Sequence, residues 1–223
     1  MSEADDRDRD RISGRPGARE ASAPGRSEEP RRDASEDPAV RGAYERMATD
    51  VERRLRAEVD EVRRRGFSSS GSALATVCVL KGELSAGERE GKALLAGPDG
   101  DALRASFRRL GYGDSEWAAL STVVSGAGEG RTGGWSPAAP EVLAWAIEVV
   151  DPEVVIAEDE AAERALCAAW GQRPDWLASH EVRWLAGRRA LSLGGFEDAL
   201  DDVPSKRVMW NRLKLVPPLG EPA

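Results

Sequence analysis

The chain has 223 residues, enough for one ordinary domain and a tail. Its 32 basic and 40 acidic residues give a formal net charge of -8, which disfavours tight non-specific binding to nucleic acid because such binding needs concentrated positive charge. No apolar run approaches the length of a membrane span, and no secretory signal is recognisable. We therefore expect a cytoplasmic, monomeric protein with no membrane partner.

The first segment, residues 1–40, is built from charged residues, Ser, Pro and Gly, with almost no large apolar side chain. Such a segment cannot bury enough surface to offset the entropy lost on ordering, so we predict a disordered charged tail. The folded domain is predicted over residues 41–217, with an irregular C-terminal tail over 218–223.

The first predicted element is a helix, because apolar residues between positions 44 and 65 recur at spacings of three and four. Short apolar runs then alternate with amphipathic segments, a pattern typical of a parallel sheet with helical crossovers. The predicted strands are Ala73–Leu80, Trp117–Val124, Val154–Ala157 and Arg189–Leu193. The predicted helices between and after them are Asp101–Leu110, Pro137–Val150, Asp159–Trp170 and Pro204–Leu215.

The two cysteines, Cys78 and Cys167, lie in an apolar strand and an apolar helix. Their number and spacing give neither a disulfide framework nor a set of metal ligands, so buried free thiols are expected and no metal or cofactor is predicted. The chain also has a single histidine, His180, which is expected to be a loop residue without a chemical role.

The stretch after the first strand carries the most specific pattern in the chain. Gly82 and Glu83 follow the strand, and a glycine-punctuated loop with Gly97 and Gly100 leads into the next helix. Near the C-terminus, the sequence PSKR precedes WNRLK. These motifs resemble the uracil-DNA glycosylase superfamily, and the bacterial and archaeal iron–sulfur branch in particular, over roughly residues 73–214.

The resemblance implies a three-layer α/β/α sandwich with a four-stranded, mainly parallel sheet. It also implies a pocket for a flipped base at the carboxyl ends of the strands. In that pocket Glu83 would position water, Gly82 would belong to the residues that bind the base, and Leu94 would line the pocket where the family has a stacking Phe. Thr122 takes the position of the family's base-reading Asn, and Phe196 that of its His. The cluster itself is not expected, because an iron–sulfur centre needs four thiolates.

Basic residues on the last predicted helix are the candidates for contact with DNA, the partner that the resemblance implies. They are Lys206, Arg207, Arg212 and Lys214, and a solvated helix face is the alternative interpretation. The glycine-rich segment 126–135 adds Arg131 and Trp135 as a basic and an aromatic contact for a single strand.

Three hypotheses on function remain open from the sequence. The first is a divergent relative of uracil-DNA glycosylases that recognises DNA or a nucleobase and whose ancestral hydrolysis of the N-glycosidic bond is weakened or lost. The second is a non-catalytic binding or scaffold protein on the same fold. The third is a small-molecule transferase or nucleotide-binding domain that uses the same strand-end loop. Lys81, next to the loop, is expected to be a surface lysine at a strand end, and pairing with Glu83 or contact with a phosphate is the alternative.

Overall fold

The computed structural model describes residues 38–126, 134–178 and 180–218. The chain divides into two units, residues 1–42 and residues 43–223. Of the first unit only residues 38–42 are described, and they are helical. The predicted charged tail therefore lies almost wholly outside the described residues, as does most of the predicted C-terminal tail.

The described residues form a mixed α/β fold with six α-helices and a seven-stranded sheet. None of these helices is long and apolar enough to cross a membrane. The helices are α1 (Pro38–Arg64), α2 (Ala86–Arg89), α3 (Pro98–Leu110), α4 (Pro140–Val150), α5 (Glu160–Ala169) and α6 (Val203–Leu213). The strands are β1 (Phe67–Gly71), β2 (Val77–Lys81), β3 (Trp117–Ser125), β4 (Trp135–Pro137), β5 (Val154–Ala157), β6 (Arg183–Leu185) and β7 (Arg188–Ser192).

The sheet has the order β1-β3-β2-β5-β7-β6, and β4 pairs with β3 beside this path. The four central strands β3, β2, β5 and β7 are mutually parallel. They correspond to the four strands that the sequence predicts. Strand β2 lies in the middle with every residue buried, which explains its continuous apolar run.

The predicted four-stranded sheet is too small, because three antiparallel strands are added to it. Strands β1 and β4 pair with β3, and β6 pairs with β7. All three are short and lack an apolar alternation: the sequence of β1, FSSSG, has the composition of a flexible connector. Such strands form because a neighbouring strand satisfies their backbone groups, a cause that is invisible in their own sequence.

Helices cover both faces of the sheet. On one face, Cys78 and Leu80 of β2 join a hydrophobic cluster that includes α4 and α5. On the other face, Val77 and Val79 join a second cluster that includes α3 and α6. Successive residues of a strand point to opposite faces, so these two clusters are the two sides of one sheet.

The apolar stripe predicted on the first helix is only partly used. Val62, in its last turns, is fully buried against the sheet and α4. Met47 and Val51 are 58% and 46% exposed. The N-terminal half of α1 thus presents an apolar face that no described residue covers.

Candidate ligand site at the carboxyl edge of the sheet

The order of the parallel strands creates a crevice at the carboxyl ends of β2 and β5, which are neighbours in the sheet. The chain leaves β2 toward α3 on one face, and it leaves β5 toward α5 on the opposite face. Such a reversal of connection is where open α/β sheets place their ligands. The residues at this edge are therefore the first candidates for a functional site.

Lys81, the last residue of β2, lies in the crevice and is only 2% exposed. Its ammonium forms an ion pair with Asp99 at the start of α3. The carboxylates of Glu88 and Glu197 each lie 3.5 Å from Lys81 Nζ, and that of Glu158 lies 3.9 Å away. The expectation of a surface lysine is wrong, because the end of β2 is buried and acidic residues from four other segments surround the Lys81 ammonium.

This set of five side chains, Lys81, Glu88, Asp99, Glu158 and Glu197, is called the charged cluster below. Burial alone would lower the pKa of Lys81, but the carboxylates of Glu158, Asp99 and Glu88 outweigh it and raise that pKa above its ordinary value. Lys81 is therefore a permanent ammonium and cannot serve as a proton acceptor or an amine nucleophile.

Glu88 connects the charged cluster to the loop after β2. Its carboxylate accepts hydrogen bonds from the backbone N–H of Ser85, at 2.8 Å, and of Leu95, also at 2.8 Å. The Ser85 hydroxyl in turn accepts from the N–H of Glu88, which completes a capping box on the short helix α2. A glycine-punctuated loop is thus fixed to the sheet through Lys81.

Glu158 follows β5 directly and is the unusual member of the cluster. It is 1% exposed, yet neither carboxyl oxygen has a hydrogen-bond partner among the described residues. Desolvation by burial raises the pKa of Glu158 to about 8, and the negative charges of Asp99, Asp159 and Glu197 add to this effect, while Lys81 opposes it. Burial therefore favours the neutral form of this carboxyl group over the ionised one.

Asp159, the next residue, ties the two strand ends together. Its Oδ1 accepts the backbone N–H of Ala162 and so provides the predicted N-cap of α5. Its Oδ2 accepts the N–H groups of Gly82 and Glu83, at 2.9 and 3.0 Å. A Cβ at Gly82 would lie 2.7 Å from the Ala161 Cβ, so only glycine allows this close approach to α5.

A cavity of about 520 Å³ opens beside Gly82, the residue that follows Lys81. Its walls come from the loop after β2 and from the adjoining ends of β3 and β4. Leu84, Val123 and Trp135 belong to the α3 and α6 face, the face toward which Lys81 points in the strand alternation. The lining residues are Gly82, Leu84, Arg89, Val123, Gly134 and Trp135. The cavity has an aromatic wall, an aliphatic wall and a guanidinium.

Trp135 is one of the two residues that the sequence singles out in the glycine-rich segment. Its indole N–H donates to the carbonyl of Arg89 at 3.3 Å, which fixes the ring beside the loop after β2. Arg131, the other residue, lies outside the described residues.

The residues predicted from the glycosylase motif are distributed over different environments. Gly82 lines the cavity, whereas the side chain of Glu83 is exposed, with only its backbone N–H held by Asp159. Leu94 and Phe196 are 1% and 3% exposed and pack in the cluster of α3 and α6. Thr122 is 2% exposed. It alternates along β3 with the same spacing as Leu120 and Val124, so it lies on the face of the sheet that α4 and α5 cover.

The four basic residues predicted to hold DNA do not share one environment. Lys206, Arg207 and Lys214 are exposed on and just after α6. The Arg212 guanidinium instead turns inward and donates to the carbonyl of Leu193, and burial lowers the pKa of this side chain. Arg212 therefore supports the loop after β7, and three residues remain for contact with phosphate.

His180 lies beside the loop after β7, although strands β6 and β7 separate it from that loop in the sequence. Its Nδ1 is 3.2 Å from the carbonyl of Ser192, so Nδ1 carries the proton because a carbonyl can only accept. A Cβ at Gly194 would lie 2.9 Å from His180 Cε1, which shows that the glycine leaves room for the ring. The imidazole is half-buried and has a structural partner.

The thiols follow the prediction: Cys78 and Cys167 are free and buried. Within the described ranges, no group of three or more His, Cys, Asp or Glu side chains could hold a metal ion. The ammonium of Lys81 occupies the centre of the one dense carboxylate cluster at this edge.

Sequence reasoning misses Glu158 and Glu88 as members of the site. Glu158 stands at the carboxyl end of a correctly predicted strand, and an acidic residue at that place is a usable signal. Its pairing with Lys81 depends on β5 lying next to β2, which the order of elements along the chain does not specify.

A scan of the chain against models of known protein families finds no match, and a search of curated proteins finds no significant match either.

Proposed function

We propose that this protein recognises a nucleobase at the carboxyl edge of its sheet, on a three-layer α/β/α sandwich related to that of uracil-DNA glycosylases, and that it has lost base excision. The observation that carries the proposal is the cavity of about 520 Å³ beside Gly82, at the strand ends next to the topological reversal. The order of the four parallel strands and the Gly82-Glu83 loop after β2 support the same relationship.

The apolar part of the cavity lining favours a flat ligand, and Arg89 adds one positive charge to the walls. Trp135 offers an aromatic face, and Val123 and Leu84 offer aliphatic surface. Stacking of a base on an aromatic side chain contributes about 1 to 3 kcal/mol, and it tolerates different bases because each has a π-face.

Local charge disfavours a long stretch of nucleic acid at this edge. Glu83 and Glu197 are exposed there, and the turn before α6 adds Asp198, Asp201 and Asp202. Carboxylates repel a phosphate backbone, whose binding depends on ion pairs with Lys and Arg. A free base, a nucleoside or a single extruded nucleotide suits the site better than a duplex.

The loss of excision follows from the residues at the motif positions. Phe196 is an apolar core residue, and it cannot donate a proton or stabilise an anion as an imidazole could. The exposed carboxylate of Glu83 has no side-chain partner that would orient it among the described contacts. Binding without hydrolysis is the activity that remains.

A second candidate function is a scaffold that binds another macromolecule. The specific observation in its favour is the apolar face of α1, where Tyr44, Met47 and Val51 are 63%, 58% and 46% exposed. Exposed apolar patches of this kind mark interaction sites in folded proteins. A scaffold role would leave the cavity without a ligand.

Calorimetric titration with uracil and uridine tests the proposal. We expect saturable binding to the wild type, little change in Trp135→Phe, and at least a tenfold loss in Trp135→Ala. Trp184→Ala is the matched control, because Trp184 is 68% exposed on the edge strand β6 and far from the cavity lining in sequence.

Incubation with single- and double-stranded uracil-containing oligonucleotides, followed by alkaline cleavage, tests the second part. We expect no strand scission. Excision that disappears in Glu83→Ala would show that hydrolysis persists, whereas no binding of any base or nucleoside at millimolar concentration would overturn the recognition itself.

A further inference from the structure

Another cavity, of about 380 Å³, lies on the α5 side of the sheet. Its walls come from the first turns of α5, from the connector between α5 and β6, and from Gly194 after β7. It shares no lining residue with the cavity beside Gly82, so the two are separate sites. Three of its lining residues, Glu160, Arg164 and Asp175, are exposed, and the cavity is therefore open to solvent.

Ser192, the last residue of β7, holds two of the side chains that line this cavity. Its hydroxyl donates to the carboxylate of Glu163 on α5. Its carbonyl accepts the Nδ1 proton of His180, and the distance between the nitrogen and the oxygen is 3.2 Å. Ser192 itself is fully buried in the sheet. One strand residue thus fixes a carboxylate and an imidazole at the same cavity.

Glu163 is the lining residue that points to a ligand. It is only 7% exposed, and Ser192 occupies one of its carboxylate oxygens, Oε2. The other oxygen, Oε1, has no hydrogen-bond partner among the described residues, and none of them forms an ion pair with Glu163. The positive charge of Arg212 acts on Glu163, but the guanidinium donates its hydrogen bond to the carbonyl of Leu193. Because acidic side chains are almost never buried without a paired cation, a cation in the cavity would complete this site.

His180 adds a second acceptor to the cavity wall. Since Nδ1 donates to the carbonyl of Ser192, Nε2 of the uncharged imidazole is left as an acceptor, and no described residue donates to it. The backbone of His180 has a φ of +53°, in the left-handed region that residues other than glycine seldom adopt. Gly194 leaves room for the ring, because a Cβ there would lie 2.9 Å from His180 Cε1. The backbone and its surroundings therefore hold the imidazole at this wall.

Two acceptors without a partner, one of them a carboxylate, define the complementary ligand. Such a ligand carries a positive charge and at least two N–H donors, as an ammonium or a guanidinium does. A metal ion does not suit the site, because within the described ranges no group of three or more His, Cys, Asp or Glu side chains could hold one. Pro174 and Ala178 give the cavity an aliphatic wall, and its volume lies within the range of about 300 to 1,000 Å³ that is usual for small-molecule sites.

We infer that this cavity binds a small organic cation with N–H donors, an aliphatic amine or guanidine, through Glu163 and His180. Glu163 Oε1 accepts one N–H and balances the charge of the ligand, and His180 Nε2 accepts a second N–H. The methylene chain of the ligand lies against Pro174 and Ala178. This site goes beyond the proposed recognition of a base and does not depend on it.

Calorimetric titration of the full chain with putrescine, which has two ammonium groups, and with agmatine, which has an ammonium and a guanidinium, tests the inference. We expect saturable binding of at least one of them to the wild type at millimolar concentration or below. Glu163→Gln keeps the shape and an acceptor for Ser192 but removes the charge, and it should weaken binding at least about tenfold. His180→Phe keeps a ring and removes both nitrogens, and it should weaken binding about threefold or more. Circular dichroism and thermal unfolding verify that each variant folds.

Two controls separate this site from a general attraction between cations and an acidic protein. Glu160→Gln removes the same charge from the same helix at the exposed rim, where Glu160 already pairs with Arg164 at 3.3 Å. It should change the affinity by less than about threefold, because an exposed carboxylate contributes little. The ligand control is putrescine with every N–H replaced by N–CH₃, which keeps both charges and has no donor. It should bind at least about tenfold more weakly than putrescine.

Absence of saturable binding of both cations to the wild type at millimolar concentration would overturn the inference. Equal losses in Glu160→Gln and Glu163→Gln, or equal affinities for putrescine and its methylated form, would overturn it as well, because binding would then follow charge alone. None of these results bears on base recognition, which is measured separately by titration with uracil.

Discussion

The ammonium of Lys81 lies 3.9 Å from the carboxyl group of Glu158, at the carboxyl ends of the neighbouring parallel strands β2 and β5. This relationship places an ammonium beside a carboxyl group whose pKa is raised by burial. The same two strand ends carry Gly82 and Asp159, and the Gly82 backbone N–H donates to the Asp159 carboxylate. Structural support and candidate chemistry therefore share one edge of the sheet.

Lys81→Met should lower the free energy of unfolding by about 3 to 5 kcal/mol, because it leaves buried carboxylates without their counter-ion. Urea unfolding followed by circular dichroism measures the change. Lys92→Met, which removes an exposed ammonium from the same loop, should change stability by less than about 0.5 kcal/mol. A double variant, Lys81→Met with Asp99→Asn, should regain part of the lost stability. If Lys81→Met lost no more stability than Lys92→Met, that result would contradict the role of the cluster.

Glu158→Gln should change the dependence of stability on pH. The folded protein holds a proton on Glu158 up to a pKa of about 8, whereas the unfolded chain releases it near the ordinary value of 4.5. The stability contributed by this group is therefore complete below about pH 4.5 and is lost as pH rises toward 8, with a slope of up to about 1.4 kcal/mol per pH unit. Unfolding measured at several pH values should show that the free energy of unfolding of the variant increases relative to that of the wild type as pH rises from 5 to 8. A constant difference between the two proteins over this range would mean that Glu158 is ionised in the fold.

Much of the fold is predictable because its central strands are buried on both sides. Continuous apolar runs such as VCVL in β2 and VVIA in β5 are recognisable as buried strands. Asp159 is recognisable as the N-cap of α5 from its position before an amphipathic segment. The short strand β4 is not predictable: Trp135–Pro137 pairs with β3 and moves the start of the following helix to Pro140, whereas the sequence places that start at Pro137. Edge strands depend on a partner, and the partner is remote in sequence.

The candidate site is less predictable than the fold. Gly82 stands out in the sequence and lines the cavity, whereas Lys81 has the sequence position of an ordinary strand-end lysine, and only the strand order brings Asp99 and Glu158 around it. Arg212 likewise has the sequence position of a surface contact, and only the fold shows its hydrogen bond to Leu193. Such contacts join distant segments, and no local pattern encodes them.

Asp159→Ala should cost more stability than the loss of a helix cap alone. Asp202 provides the comparison, because its carboxylate caps α6 through the N–H of Ser205 and is not seen to bridge another strand end. We expect about 1 kcal/mol for Asp202→Ala and about 2 to 3 kcal/mol for Asp159→Ala, which also leaves the N–H groups of Gly82 and Glu83 unpaired. Equal losses in chemical denaturation would argue against the bridge.

Gly82→Ala should destabilise the protein by about 1 to 3 kcal/mol, because its Cβ would lie 2.7 Å from the backbone nitrogen of Ala162. Gly87→Ala in α2 is the matched control. Its Cβ would meet only the flexible side chain of Lys92, so a neutral effect or a small gain is expected. Thermal unfolding of both variants decides the comparison, and tolerance of alanine at position 82 would show that the loop is free to move away from α5.

Mapping of backbone amide shifts during a titration with uracil tests the central claim of base recognition most directly. The account predicts that saturable changes concentrate at Gly82, Leu84, Val123 and Gly134, which border the cavity. Changes confined to the exposed residues of α6, such as Lys206 and Arg207, or no changes up to millimolar uracil, would contradict it.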